Sequence, residues 1–380
     1  MVQSKLPDVG TTIFSVMSAL AAKSGAINLS QGFPDFEPPA ALRRAVTRRI
    51  NSGHNQYPPM HGVPALREAI ARRFESRYHT TLDPETEITV TSGATEAIFC
   101  AITALCHAGD DVLIFDPAYD CYAPAVRLTG ARPVHLPLVG DDFRIDFERL
   151  AQALTDKTRL VILNSPHNPT ATTISGADLD QLADTLAPHN CWLLSDEVYD
   201  AMVFDDRRHT SVVAHPQLRD RSVAVFSFGK TYHATGWKIG YAVAGPALTK
   251  ELRRIHQYNT FATAGPLQWA LADFMTDEPE FEASLASFYA DKRDHFEQAM
   301  RNSQFRLPTS AGTYFQLAEY SALSDQPDTE FARWLTTEIG VAAIPISVFC
   351  QQPLQGNWVR FCFAKEAATL TEAARRLSAI

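Results

Sequence analysis

Two lysines and the polar residues around them carry the clearest chemical signal in this sequence. Lys230 follows an apolar run, Val223–Phe228, within Ser227-Phe-Gly-Lys-Thr-Tyr-His-Ala-Thr-Gly-Trp-Lys-Ile-Gly-Tyr241. The run reads as a buried strand. An amine held just past such a strand loses solvation and with it part of its proton affinity, so it becomes nucleophilic near neutral pH. Lys238 stands in a second strand-like run, Trp237–Ala244, and with Ser227 and Thr231 offers donors for a phosphate. Together they point to a Schiff base between Lys230 and an aldehyde that carries a phosphate. A lone lysine beside a core strand is ordinarily just solvated, so the assignment depends on what the rest of the chain supplies.

The aldehyde with these properties is pyridoxal phosphate, which accepts electrons when a bond at an amino acid's Cα breaks. Its protein must hold the phosphate, keep the ring nitrogen protonated, tune the ring oxygen and offer an amine. Asp196 closes an apolar strand and can pair with a protonated ring nitrogen; it would serve equally as a helix cap for Glu197-Val-Tyr199. Tyr199 can donate to the ring oxygen or stand as a half-buried tyrosine. Asn164 and Asn168 flank a strand-ending turn, Asn164-Ser-Pro-His-Asn-Pro-Thr170, where asparagine is common for conformational reasons alone. Ser92-Gly-Ala-Thr-Glu96 places Gly93, Ala94 and Thr95 at a helix N-terminus, a favourable place for an anion. Tyr119 can stack on a ring or pack in the core. Arg360, in Trp358-Val-Arg-Phe-Cys-Phe363, needs an anionic partner: a substrate carboxylate, or a protein carboxylate if it lies on an edge strand.

The elements that must position these residues form an alternating pattern. Strands are expected at 88–92, 112–115, 132–138, 159–164, 191–196, 223–228 and 237–244, spaced by helices. That pattern predicts an α/β fold with a mostly parallel seven-stranded sheet covered on both faces. Gly93, Asp116, Asn164, Asp196 and Ser227 all fall where strands run out, the edge at which ligands bind in open α/β sheets. Helices are expected at 40–52, 62–74, from Gly93 to near Gly109, beyond Leu248 and over 280–301. The remainder mixes strands at 312–317 and 358–363 with helices at 329–339 and 367–377. The organisation expected is an N-terminal arm (1–45) joining a small C-terminal α/β domain (286–380), around a large domain (46–285).

Composition limits the alternatives. At 380 residues, 46% hydrophobic and 20% charged, the chain has the make-up of a soluble globular protein. A net charge of −9 and the lack of a basic cluster argue against nucleic acid as a partner. Six cysteines without a C-x-x-C pair read as reduced core residues, and no metal site is expected. The apolar run Ile13–Ala22 lacks a basic lead-in, so it reads as a helix and not a signal peptide, and no run approaches a membrane span. A cytoplasmic location is expected.

Asn168-Pro-Thr170, Asp196-Glu-Val-Tyr199, Ser227-Phe-Gly-Lys-Thr231 and Gly236-Trp-Lys-Ile-Gly-Tyr241 resemble motifs of the class I/II aminotransferases of pyridoxal-phosphate fold type I. Ser30-Gln-Gly-Phe-Pro-Asp-Phe36, Asp120-Cys-Tyr122 and Trp358-Val-Arg-Phe-Cys-Phe-Ala-Lys365 are similar to the kynurenine and glutamine transaminase branch, and most of all to bacterial methionine aminotransferases. The resemblance implies that Lys230 forms the Schiff base and shuttles the proton. It implies Asp196 at the ring nitrogen, Tyr199 and Asn168 at the ring oxygen, and Tyr119 over the ring. Gly93, Ala94, Ser227 and Lys238 would hold the phosphate, joined by Tyr57 from the second subunit of a homodimer. Arg360, Asn168 and Gly32 would grip the substrate carboxylate. Ile13, Phe14 and Phe33, with Tyr57 and the second subunit's Phe261, would form an apolar side-chain pocket. The chain departs from the family's usual pattern at Ala171, where glycine is usual, and at Gly229, where many members have serine; altered loop geometry with retained activity is expected.

The implied reaction moves the α-amino group of methionine, an aromatic amino acid or kynurenine to a 2-oxo acid by a ping-pong cycle. Two other readings use the same residues. A carbon–sulfur β-lyase would make the same proton abstraction but lose a group from Cβ. A cofactor-binding sensor would be expected to carry a DNA-binding segment ahead of the arm, for which only about 25 residues are present.

Overall fold

The computed structural model describes residues 2–380. Its first strand, β1 (Ile27–Asn28), belongs to the N-terminal arm. The next seven are β2 (Ile88–Thr91), β3 (Asp111–Asp116), β4 (Arg132–Pro137), β5 (Thr158–Asn164), β6 (Trp192–Asp196), β7 (Ser222–Ser227) and β8 (Gly240–Ala244). They make one seven-stranded sheet in the order β2-β8-β7-β6-β5-β3-β4. Only β8 runs against its neighbours; β3 to β7 pair in parallel.

Successive residues of the strands enter two different cores, which is why the strands read as continuous apolar runs. Leu113, Val161, Leu163, Leu193 and Phe226 join one cluster, packed with helices Ala40–Asn51, Pro64–Tyr78, Gly176–Leu186 and Gly265–Asp277. Val112, Ile114, Ile162, Leu194 and Val225 join the other, with helices Gly93–Leu105 and Pro246–Asn259. The helices follow ordinary end rules: Pro64, Pro246 and Pro266 sit in first turns, and Ser175 and Asp178 form a capping box for Gly176–Leu186.

Beyond helix Glu280–Met300 lie β9 (Phe315–Glu319), β10 (Val341–Ala342), β11 (Ile344–Pro345) and β12 (Trp358–Cys362). β9, β11 and β12 form an antiparallel sheet with β12 in the middle. The arm is attached here: β1 pairs in parallel with β10, and Met17 and Leu29 share a core with Phe315, Val341 and Phe361. Among the described residues, no helix is long and apolar enough to cross a membrane.

Three local expectations are corrected. The run from Trp237 does not start a strand: Thr235–Trp237 is a 3-10 turn, Lys238 has a left-handed backbone (φ 55°), and the ladder begins at Gly240. A strand would have fixed the Lys238 side chain to one sheet face; the turn sends it to the pocket. The strand expected at Gly312 begins at Phe315, because Gly312 bridges to Val203 and Thr313 turns at φ 69°. Helix Asp328–Trp334 widens into a π turn, Leu335–Ile339, before Gly340 ends it at φ 76°.

Candidate active site

The carboxyl ends of β2, β5, β6 and β7 meet at one edge of the sheet, and the amino end of the reversed β8 joins them. A cavity of about 310 Å³ lies there. Gly93, Asn164, Asp196 and Ser227 line it, as their positions at strand ends required. Asp116 does not. Its carboxylate accepts from His135 Nδ1 and from the Gln351 backbone N–H, both at 2.7 Å, so it fastens the far edge of the sheet to the C-terminal segment.

Lys230 sits in a one-turn helix, Phe228–Thr231, immediately after β7. Its Nζ donates to the Tyr314 hydroxyl at 3.0 Å and to the Gly32 carbonyl at 3.2 Å. Burial pulls its pKa from the ordinary 10.5 down to about 8, so a useful fraction of the amine is neutral near pH 7. Asp196 is buried at the end of β6, and loss of solvation raises its carboxyl to about 6; Tyr122 Oη donates to it at 2.6 Å and opposes the rise. Asn164 Nδ2 holds the Asp196 carbonyl at 2.8 Å, while its Oδ1 accepts from the Asn168 N–H at 2.8 Å. That pair fixes the turn after β5. Tyr199 packs edge-on against Tyr314 and Phe315, and burial holds its hydroxyl protonated far above neutral pH.

An anion cup adjoins the amine. The first residues of helix Gly93–Leu105 have backbone N–H groups without intrahelical partners. Ser227, Thr235 and Lys238 face the same cavity. Lys238 lies so close over Gly93 (φ 75°) that a Cβ there would stand 3.2 Å from Nζ. Gly240 is more constrained: a Cβ would lie 2.6 Å from the Phe226 carbonyl oxygen and 2.7 Å from the Ala94 nitrogen. Thr231, expected as a phosphate donor, instead donates to the Ser227 carbonyl inside its own helical turn. Glu96 supports the cup from behind, accepting from the Ser92 N–H at 2.6 Å and from His256 Nδ1 at 2.6 Å. His256 Nε2 is engaged by the Met60 carbonyl. Among the described residues, Glu96, Cys100 and His256 are the one cluster with metal-ligand types, and these hydrogen bonds already occupy both nitrogens of the histidine.

Arg360 is 0% exposed on the middle strand β12, so the edge-strand account fails. Its Nη1 donates to Asn168 Oδ1 and its Nη2 to the Ser30 carbonyl, and its guanidinium carbon lies 3.8 Å from the Phe315 ring centroid. Nε has no partner, and among the described residues no carboxylate pairs with the group. A buried cation left so incompletely satisfied is suited to an anionic ligand.

Phe14, Gly32, Phe33, Ala94, Thr95, Tyr119 and Asn168 also line the cavity. Tyr57 and Phe261 do not. They stack edge-on at 5.6 Å on the outside of the chain, 85% and 44% exposed. Ile13 packs in the arm's core and not at the cavity. Sequence reasoning missed Tyr314, Tyr122 and Phe315. For Tyr122 the signal was its place in Asp120-Cys-Tyr122; the other two are contributed by β9 and the loop before it. Ala171 adopts a left-handed backbone (φ 60°), the conformation that glycine takes without strain. Gly229 is closely approached, since a Cβ would lie 3.0 Å from the Thr235 Cα.

A buried amine of lowered basicity, a buried carboxylate facing it, an anion cup and an unpaired arginine define a group-transfer enzyme for amino acids. The chain belongs to the class I and II aminotransferases: the family model "Aminotransferase class I and II" matches residues 24–377. It is thus a pyridoxal-phosphate-dependent aminotransferase. It is similar to the methionine aminotransferase of Escherichia coli, 52% identical over 375 residues that cover 99% of this chain and 97% of that protein. It is 31% identical to kynurenine–oxoglutarate transaminase 1 of Rattus norvegicus, over 98% of this chain and 96% of that one. Among solved structures, an Escherichia coli protein with a methionine aminotransferase function superposes with a TM-score of 0.98 at 51% identity, over the full length of both chains. N-succinyldiaminopimelate aminotransferase of Mycobacterium tuberculosis superposes at 0.96 and 39% identity, again over both full lengths.

Proposed function

We propose that this aminotransferase takes the amino group from large apolar amino acids, methionine foremost, with kynurenine and aromatic amino acids as further donors. The observation that carries this reading is the wall of the cavity. Phe14, Phe33, Tyr119 and Phe315 face it, and among the described residues its only basic side chains are Lys230, Lys238 and Arg360. Each has a task, which leaves no cation for a side-chain carboxylate. The resemblance to methionine aminotransferase supports the same reading.

Pyridoxal phosphate, when bound, supplies the electron-withdrawing ring that makes the substrate's Cα–H acidic. The residues present fit it. Gly93, Ala94, Thr95, Ser227 and Lys238 would hold its phosphate, Asp196 its ring nitrogen, Tyr199 and Asn168 its ring oxygen, and Tyr119 its face, with Asn164 bracing the turn. Arg360 takes the substrate's carboxylate through its fork, with Asn168 keeping the fork in plane and Gly32 leaving room beside it. The Lys230 Nζ, neutral in part at pH 7, takes the proton from the substrate's Cα and later returns it. Asp196 supplies a fixed negative charge on the side of the cavity where positive charge must be held.

We also propose that the protein works as a homodimer in which Tyr57 and Phe261 complete the neighbouring site. Their exposure on a single chain supports this. The shared core of the arm with β9, β10 and β12 likewise supports grouping the arm with 286–380 as one small domain, but the boundary expected at 45 moves to about 39, because Leu42 and Ala45 of helix Ala40–Asn51 pack in the large domain's core.

A donor panel with one fixed 2-oxo acid tests the substrate assignment. Methionine should exceed aspartate and N-succinyldiaminopimelate by at least about 10²-fold in kcat/KM, the scale set by burying a charged side chain in an apolar pocket. The reverse order, or release of pyruvate and ammonia without an oxo acid, would overturn it. The phosphate cup has its own test. Gly240→Ala should weaken pyridoxal phosphate binding about 10-fold or more and cost roughly 1–3 kcal/mol of stability, because the atoms met are backbone and yield little. Spectroscopic titration and a melting curve measure both.

A further inference from the structure

Tyr314 is a buried side chain, in the loop that leads into β9, at which two distant parts of the chain meet. Its hydroxyl donates to the Gly32 carbonyl at 2.6 Å, and the same oxygen accepts from Lys230 Nζ at 3.0 Å. Lys230 also donates to that carbonyl at 3.2 Å, so hydroxyl, carbonyl and amine close a three-way knot. Gly32 can approach this closely because it lacks a side chain: a Cβ would lie 2.7 Å from the Phe315 ring.

A neutral lysine amine has two hydrogens and one lone pair, whereas its ammonium form has three hydrogens. The knot offers two acceptors. With both N–H groups engaged, the lone pair is the one direction left for reaction with a group in the cavity that Lys230 lines. We propose that Tyr314 is a positioning residue that aims the free Lys230 amine at the cofactor's aldehyde carbon and, through Gly32, fastens the arm over the cavity while the lysine is unattached. When the Lys230 nitrogen forms its double bond to that carbon, the aldehyde oxygen leaves as water, and both of the amine's N–H donors to the knot are lost. The Gly32 carbonyl is then held by Tyr314 alone. The state of the lysine is thereby transmitted to the arm segment that carries Gly32 and Phe33, both of which line the cavity.

This inference rests on the cofactor reading above, and the test separates the two. The full-length apoprotein is mixed with pyridoxal phosphate across pH 6 to 10, and the rate of the Lys230 adduct, trapped by hydride and located by mass spectrometry, is followed. Wild type should show a rising profile with its midpoint near 8, reflecting the burial of Lys230. Tyr314→Phe removes an acceptor that favours the charged amine, so its midpoint should fall by about one pH unit. Its plateau at high pH, where every amine is neutral, should fall about 10-fold because aim is lost. A change of stability alone moves neither midpoint nor plateau in folded protein. Identical profiles for the two proteins overturn the inference; absence of any Lys230 adduct in wild type instead overturns the cofactor reading. Should Tyr314→Phe not fold, hydrogen exchange at residues 28–36 decides. Apo Lys230→Met should exchange there several-fold faster than apo wild type, and equal rates overturn the inference.

Discussion

Lys230→Ala should leave a folded protein that still takes up pyridoxal phosphate and no longer turns over. The cup residues Gly93, Ser227 and Lys238, and Asp196 across the cavity, are untouched by the change. What disappears is the amine of lowered basicity at the end of β7. No other described lysine reaches that place, since Lys238 lies over Gly93 and Lys365 donates to the Phe33 carbonyl. A positioned base contributes about 10²–10⁴-fold by itself, and the covalent anchor is lost as well. A fall of about 10⁴-fold in kcat at saturating donor is expected. Partial rescue by a small exogenous amine would reinforce the assignment, and a variant that keeps a tenth of the activity would remove Lys230 from the mechanism.

Asp196→Asn is the second large effect. The substitution preserves shape and removes charge, so the Tyr122 hydroxyl keeps an acceptor while a ring nitrogen loses its anion. Breaking one side of a buried charge pair costs roughly 3–5 kcal/mol, which corresponds to a fall of about 10²–10⁴-fold in kcat. The pH dependence follows from the raised carboxyl. In the apoprotein Asp196 is charged above about 6 and neutral below it. Cofactor affinity in wild type should therefore fall more steeply as pH drops through 6 than in the variant, which keeps only the dependence that Lys230 protonation gives both proteins. Titration of both proteins at pH 5 and pH 8 would show it; parallel profiles would mean that Asp196 does not carry the charge.

Much of this site could be read from the chain because it is built on strand ends. A buried strand announces itself as an apolar run, and the polar residue that stops the run is where the sheet's edge must be. Gly93, Asn164, Asp196, Ser227 and Lys230 follow from that logic. Asp116 satisfied the same rule and was misplaced, since a strand end says nothing about which neighbour a carboxylate will find. β3 lies between β4 and β5, and Asp116 turns to His135 on β4. Tyr314 was invisible for a related reason. Its role depends on a loop of the C-terminal segment meeting both the arm and the lysine, and no local pattern encodes a meeting of three distant segments. Lys238 lines the cavity on a backbone other than the one expected, because Trp237-Lys-Ile mimics the alternation of a strand while its conformation is a left-handed turn.

The arm's attachment has a bearing on how the protein is made. β1 pairs with β10, and the Leu29 carbonyl accepts from the Cys362 N–H at 2.8 Å. Residues 27–29 therefore have no partners to settle against until residues 341–362 have been synthesised. A chain stalled before β12 would lack Arg360 and the Cys362 N–H that holds the Leu29 carbonyl, leaving the arm only partly fastened.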